Sequence, residues 1–110
     1  MIQIEDPDTQ HIKPLRDFAS VHQYHFDDVA VEIHPDEINR LRPIAHDQAL
    51  SIVQILKYAQ YTNSNVIVQC PVGLSRSGAV VEVAHHLGFE STDAYRLPSL
   101  SVQYALLNHI

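Results

Sequence analysis

The sequence has one cysteine, Cys70, and is poor in positive charge. Seven Lys and Arg stand against thirteen Asp and Glu, a net charge of −6 with neutral histidines. A single cysteine excludes an intramolecular disulfide and fits a reducing compartment, which a lone reactive thiol also needs. The acidic balance argues against non-specific binding to nucleic acid or to an anionic membrane. No apolar run approaches the roughly 20 residues that span a bilayer. The opening MIQIEDPD is acidic and lacks a long apolar core, so no signal peptide is expected and the reading is cytoplasmic. There is no internal repeat, low-complexity tract or interdomain linker, and 110 residues read as one compact domain.

What is present is concentrated in Asn65 to Gly88, NVIVQCPVGLSRSGAVVEVAHHLG. Val66, Ile67 and Val68 form a short apolar run of the kind expected for a strand covered on both faces, ending at Cys70. A polar loop follows and is closed by Arg76, six positions on. Ser77 and Gly78 open a helix whose Ala79, Val80, Val83, Ala84 and Leu87 fall at helical spacing. Gly88 sits where a helix C-cap glycine belongs.

The rest of the chain alternates strands and helices. Met1 to Ile4 reads as an edge strand, broken by the turn chemistry of Glu5-Asp6-Pro7-Asp8. His11 to Ser20 is a weak helical segment, and Val21 to Phe26 a strand followed directly by Asp27 and Asp28. Val29 to Arg42 is irregular, with a short helical turn at Asp36 to Leu41. Pro43 to Thr62 is the clearest long helix, with Ile44, Leu50, Ile52, Val53, Ile55, Leu56 and Ala59 on a broad buried face. A short helix is expected at Thr92 to Tyr95. A final helix runs over Ser101 to Ile110, capped by Ser99 or Ser101. The alternation argues an α/β fold: a small, mostly parallel sheet flanked by helices, with the Cys70 loop between a central strand and a helix. Ligands in such sheets sit beyond the carboxyl ends of the strands, where Cys70 lies.

A loop running into a helix N-terminus aims several backbone N–H groups at one spot, and the helix dipole adds positive potential there. Such a nest suits a phosphate-sized anion. A cysteine facing it has its thiolate stabilised, and Arg76 can grip two phosphoryl oxygens in its planar fork. This is the equipment for attack on a phosphate monoester. Cys70 is the candidate nucleophile. The backbone of residues 71 to 76 (Pro71, Val72, Gly73, Leu74, Ser75 and Arg76) and the Arg76 guanidinium hold the equatorial oxygens. The leaving oxygen needs a proton, and Asp27 and Asp28, after a predicted strand, are the best donors.

CPVGLSRS resembles the Cys-x5-Arg-Ser/Thr signature loop of the cysteine-dependent protein tyrosine and dual-specificity phosphatases. Tyr24-His25-Phe26-Asp27-Asp28-Val29 looks like the segment carrying that family's general-acid Asp. The opening IQIEDPD and the closing RLPSLSVQYALL are similar to the edges of compact microbial and phage members. The resemblance implies that Cys70 is the nucleophile, Arg76 the phosphate binder and Asp28 the general acid, with Asp27 second. It implies that Ser77 donates a hydrogen bond to the thiolate and eases breakdown of a phosphocysteine, while Gly73 and Gly78 serve the loop's turn and close packing. Two positions depart from the pattern. Gln69 stands where the family usually has His, a residue that helps set the thiolate pKa. The interval from Asp28 to Cys70 is longer than in compact members, which brings in Asp36 as a third acid candidate. The short chain also lacks the substrate-recognition loops of larger members. No cofactor is implied, and the partner is a phosphorylated protein or another phosphomonoester.

Other readings compete. Eight histidines raise the question of a metal, but His85 and His86 point apart on a helix and His22 and His25 lie on opposite faces of a strand, so no metal is expected. Glu5, Asp6 and Asp8 read as a solvated turn, and Tyr58 and Tyr61 as packing residues. A second class of function is a binding module that captures a phosphorylated partner without hydrolysing it. A third is another Cys-x5-Arg enzyme, such as an arsenate reductase or a rhodanese-like protein. Physiological substrate and oligomeric state are not encoded in these patterns.

Overall fold

The structure, a computed structural model, describes residues 1–10, 13–14, 17–28, 41–71, 73–90 and 96–110. Among them are three strands and three helices. In chain order they are β1 (Ile2–Glu5), β2 (His22–His25), α1 (His46–Tyr61), β3 (Val68–Gln69), α2 (Arg76–His86) and α3 (Leu100–Leu107). The strands form one parallel sheet of order β2-β1-β3. Ile2 aligns with His22 on one side and Val68 on the other.

This order reverses two expectations. The first strand, expected at an edge, is the central one. Among the described strands, the Cys70 strand, expected in the centre, lies at an edge beside β1 and is two residues long. Burial agrees with the observed order. Ile2, Gln3 and Ile4 are all buried, as a strand with neighbours on both sides requires, whereas Ile67 is 48% exposed. The buried Gln3 amide is satisfied across the register by Gln23, whose Nε2 donates to Gln3 Oε1 at 3.1 Å.

One face of the sheet carries the core. Ile2, Ile4, Tyr24 and Phe26 pack with Ala49, Ile52, Val53 and Leu56 of α1, with Ala79, Val80 and Val83 of α2, and with Val102 and Leu106 of α3. Each buried Val, Ile, Leu or Phe among them contributes about 1.5–3 kcal/mol on burial, and each Ala less. The periodicity of α1 is borne out at Ile52, Val53, Leu56 and Ala59, while Leu50, Tyr58 and Tyr61 face outward rather than into the core. The helix also begins at His46, three residues after Pro43. Its start is held by Gln48, whose Oε1 accepts the Ala45 N–H at 2.9 Å while its Nε2 donates to the His25 carbonyl at 3.0 Å. The Tyr24 hydroxyl meets Ser51 Oγ at 2.7 Å, a second tie between β2 and α1.

The caps explain the other boundaries. Ser99 caps α3, accepting from the Val102 N–H. Both α1 and α2 end with a left-handed residue, Asn63 (φ 55°) and Gly88 (φ 107°). In each case the following N–H closes on a carbonyl five residues back, Ser64 on Ala59 at 2.8 Å and Phe89 on Ala84 at 3.0 Å. Lys13, Pro14 and residues 17–20 are not helical, unlike the weak segment expected there. The short helices expected at Asp36 to Leu41 and Thr92 to Tyr95 fall almost wholly outside the described residues. Among the described residues no helix is long and apolar enough to cross a membrane.

Gly88→Ala tests the α2 terminus. A Cβ there requires an L-residue at positive φ and meets Gln60 Nε2 at 3.1 Å. The expected loss is about 1–2 kcal/mol, read as a lower urea midpoint with unchanged slope. An unchanged midpoint contradicts the assigned cap.

Candidate functional site

The carboxyl ends of the three parallel strands converge on one side chain. Arg76, the first residue of α2, is only 6% exposed. Its Nη1 donates to the Phe26 carbonyl just after β2, at 2.7 Å, and to Asp6 Oδ1 just after β1, at 2.9 Å. Cys70 follows β3 directly and is buried. The sheet thus delivers Cys70, Asp6 and the Phe26-Asp27-Asp28 segment to one end, the end where parallel sheets place ligands.

The loop from Cys70 to Ser77 folds back on the thiol. Cys70 Sγ receives the Gly73 N–H at 3.2 Å and lies 3.1 Å from the Ser77 hydroxyl oxygen. Gly73 has φ 77°, a conformation an L-residue adopts only at a cost. The loop's far side is pinned by Leu97 and Ser99, whose N–H groups donate to the Leu74 and Ser75 carbonyls at 3.2 and 3.1 Å. A Cβ at Gly78 would meet Arg96 Cβ at 3.4 Å and the Pro98 backbone at 3.6 Å, ordinary van der Waals contacts, so the close packing expected to need glycine there does not demand it. Arg96 in turn pairs with Glu82 of α2 at 3.0 Å.

Burial pushes the Cys70 thiol up. Hydrogen bonds from the Ser77 hydroxyl, the Ser77 amide and the Gly73 amide, with the Arg76 charge, outweigh it and leave the thiol below its ordinary value. The arrangement favours a thiolate at the mouth of a loop that opens a helix. It can present a nucleophile to an electrophile whose negative charge the Arg76 fork and the loop amides attract.

The residues expected at the site divide into those brought together and those not. Cys70, Gly73, Arg76 and Ser77 form one cluster through the contacts above. Pro71, counted among the backbone donors, has no N–H and cannot be one. Val72 and Asp36 lie outside the described residues. Asp27 Oδ2 accepts the Arg42 N–H at 2.7 Å and the Asp27 N–H donates to the Arg42 carbonyl at 2.7 Å, so this carboxylate is engaged with backbone. Asp28 is exposed and has no hydrogen bond or ion pair among the described residues. Asp6 was read as part of a solvated turn. Its carbonyl does serve that turn, accepting from the Thr9 N–H and hydroxyl, but its carboxylate belongs to the site. The signal in the sequence was its place just past an expected strand, and in the fold it follows β1 directly.

A cavity of about 720 Å³ lies at the opposite end of the sheet, where Met1, His22 and Val66 mark the strand starts. It contains neither Cys70 nor Arg76.

The thiol's environment is testable by alkylation. With the thiol held low, the rate of iodoacetamide modification of Cys70 rises through a midpoint below about 8.5, the value of a free cysteine. Ser77→Ala removes a stabilising hydrogen bond and moves the midpoint up. A wild-type midpoint at or above the free value contradicts the arrangement described.

No family model, no curated protein and no solved structure matches the chain.

Proposed function

We propose that the chain hydrolyses phosphate monoesters through a phosphocysteine, with protein phosphotyrosine as the first substrate class and dual specificity within its reach. The observation that carries this reading is the thiol of Cys70, held below its ordinary value by Ser77, Gly73 and Arg76 at a loop that opens a helix. That combination suits attack on a tetrahedral anion better than any structural role for a buried thiol.

In this mechanism the Cys70 thiolate attacks phosphorus in line with the ester oxygen. The S–P bond forms as the P–O bond breaks. The Arg76 fork and the amides of Gly73, Leu74, Ser75 and Arg76 take the charge on the three equatorial oxygens. Asp28 gives its proton to the leaving oxygen and, as carboxylate, later removes one from the water that attacks the phosphocysteine. The Ser77 hydroxyl stabilises the thiolate as it leaves. Asp28 is preferred over Asp27 because the Asp27 carboxylate is engaged with the Arg42 backbone while Asp28 is exposed. The Phe26 carbonyl on Arg76 keeps this segment beside the loop.

A second reading, capture of a phosphorylated partner without turnover, is favoured by one observation. The residue before Cys70 is the uncharged Gln69, where the resembled family usually has a His that helps set the thiolate pKa.

The deciding experiment is an aryl phosphate assay under reducing conditions at slightly acid pH. Wild type is expected to turn over, and Cys70→Ser to fall to background. Asp28→Asn should lose about 10²-fold or more in kcat for alkyl phosphates, whose leaving groups need the proton, and little for p-nitrophenyl phosphate. Phosphopeptide binding that survives Cys70→Ser, with no turnover by wild type, supports the capture reading instead. Neither turnover nor phosphate binding by wild type refutes both.

A further inference from the structure

The contact between Asp6 and Arg76 spans 70 positions of sequence, and the mechanism above does not use it. Its geometry is selective. Both bonds, to Asp6 Oδ1 at 2.9 Å and to the Phe26 carbonyl at 2.7 Å, come from the same nitrogen, Nη1. Binding through one corner of the guanidinium fixes its plane and leaves Nη2 and Nε as the edge for an incoming anion. The Arg76 side chain is nearly buried, while that of Asp6 is 51% exposed. Asp6 is therefore a negative charge at the rim of the site, facing the solvent from which an anion arrives.

Resting on the phosphate-site reading, we infer that Asp6 is a resident counter-charge for Arg76 that weakens the hold of the site on free phosphate. Two demands on the site explain it. A buried guanidinium is costly without an anion beside it, so the empty site needs a carboxylate. A guanidinium, a helix N-terminus and a row of amides together would retain the product phosphate, and a fixed negative charge nearby opposes that. Asp6 accepts a hydrogen bond from Arg76 rather than offering a proton, which separates its role from that of the general acid. Its carboxylate is not used by the turn it sits in, where the carbonyl does the work. The side chain can thus be changed with the turn kept.

The test measures sulfate affinity, by isothermal titration or by shifts of loop amide resonances, for wild type, Asp6→Asn and Asp6→Glu. Asp6→Asn keeps the shape and removes the charge. It should bind sulfate about tenfold more tightly, a moderate gain because Asp6 is half exposed. Asp6→Glu, with the charge retained, should stay within about twofold of wild type. Without ligand Asp6→Asn should melt lower than wild type, and saturating sulfate should close the gap. Wild-type binding with equal or weaker binding by Asp6→Asn overturns the inference alone. So does an Asp6→Asn chain that sulfate does not restore to the fold, since Asp6 is then a structural residue. Absence of sulfate binding by all three proteins overturns the phosphate-site reading and this inference with it.

Discussion

The Arg76 guanidinium ties together the ends of two strands at the start of the helix that follows the Cys70 loop. It sits at the start of α2, almost out of reach of water, and one of its nitrogens serves both the end of β1 through Asp6 and the end of β2 through Phe26. A permanent cation in that position cannot be left without partners, because removing one partner from a buried charge is strongly destabilising. The carboxyl edge of the sheet is therefore organised around satisfying it. The loop that carries Cys70 is closed at its far end by the same residue, so the thiol and the guanidinium are held within one loop.

The sheet supports this by placing its most buried strand in the middle. β1 contributes Ile2 and Ile4 to the core and Gln3 to a cross-strand amide contact with Gln23. Asp6 comes one residue after this rigid strand, which gives its carboxylate a fixed origin. Gln69, directly before Cys70, aligns with Gln3 in the neighbouring strand. Its amide carries no charge, so the thiol depends on Ser77, Gly73 and Arg76 for its stabilisation. The acidic body of the protein and the cationic loop are reconciled in the same way. The cationic groups at the loop are one guanidinium and a helix start, and the guanidinium is already paired with Asp6.

Some features were legible in the sequence because they are local. The apolar run before Cys70, the helical spacing from Ala79 to Leu87, Gly88 at the end of α2 and Ser99 at the start of α3 each act through near neighbours. The helix, its terminal Gly88 and the Ser99 cap appear where the pattern puts them, whereas the strand is confined to Val68–Gln69, with Val66 and Ile67 outside it and Ile67 half exposed. The pairing of Cys70 with Arg76, Gly73 and Ser77 was legible for the same reason, since these residues lie within one loop and its first helical turn. The order of strands was not. Parallel pairing joins Ile2 to His22 and to Val68, and no local pattern distinguishes a central strand from an edge one when both are short and apolar.

By itself the sequence determined an α/β chain with a cysteine and an arginine held six apart at a helix start. Tertiary structure alone decided which carboxylate meets that arginine. Asp6 carries every local mark of a turn residue, in Glu5-Asp6-Pro7-Asp8, and the turn is real. Its contact with Arg76 exists because β1 runs beside β3 and both end at the same edge of the sheet. Asp27 shows the converse, a residue marked by its place after a strand whose carboxylate is drawn to the Arg42 backbone. A side chain's type sets what it can bind. Which partner it reaches depends on how distant segments are stacked, and that is settled by the burial of the whole sheet rather than by any stretch of it.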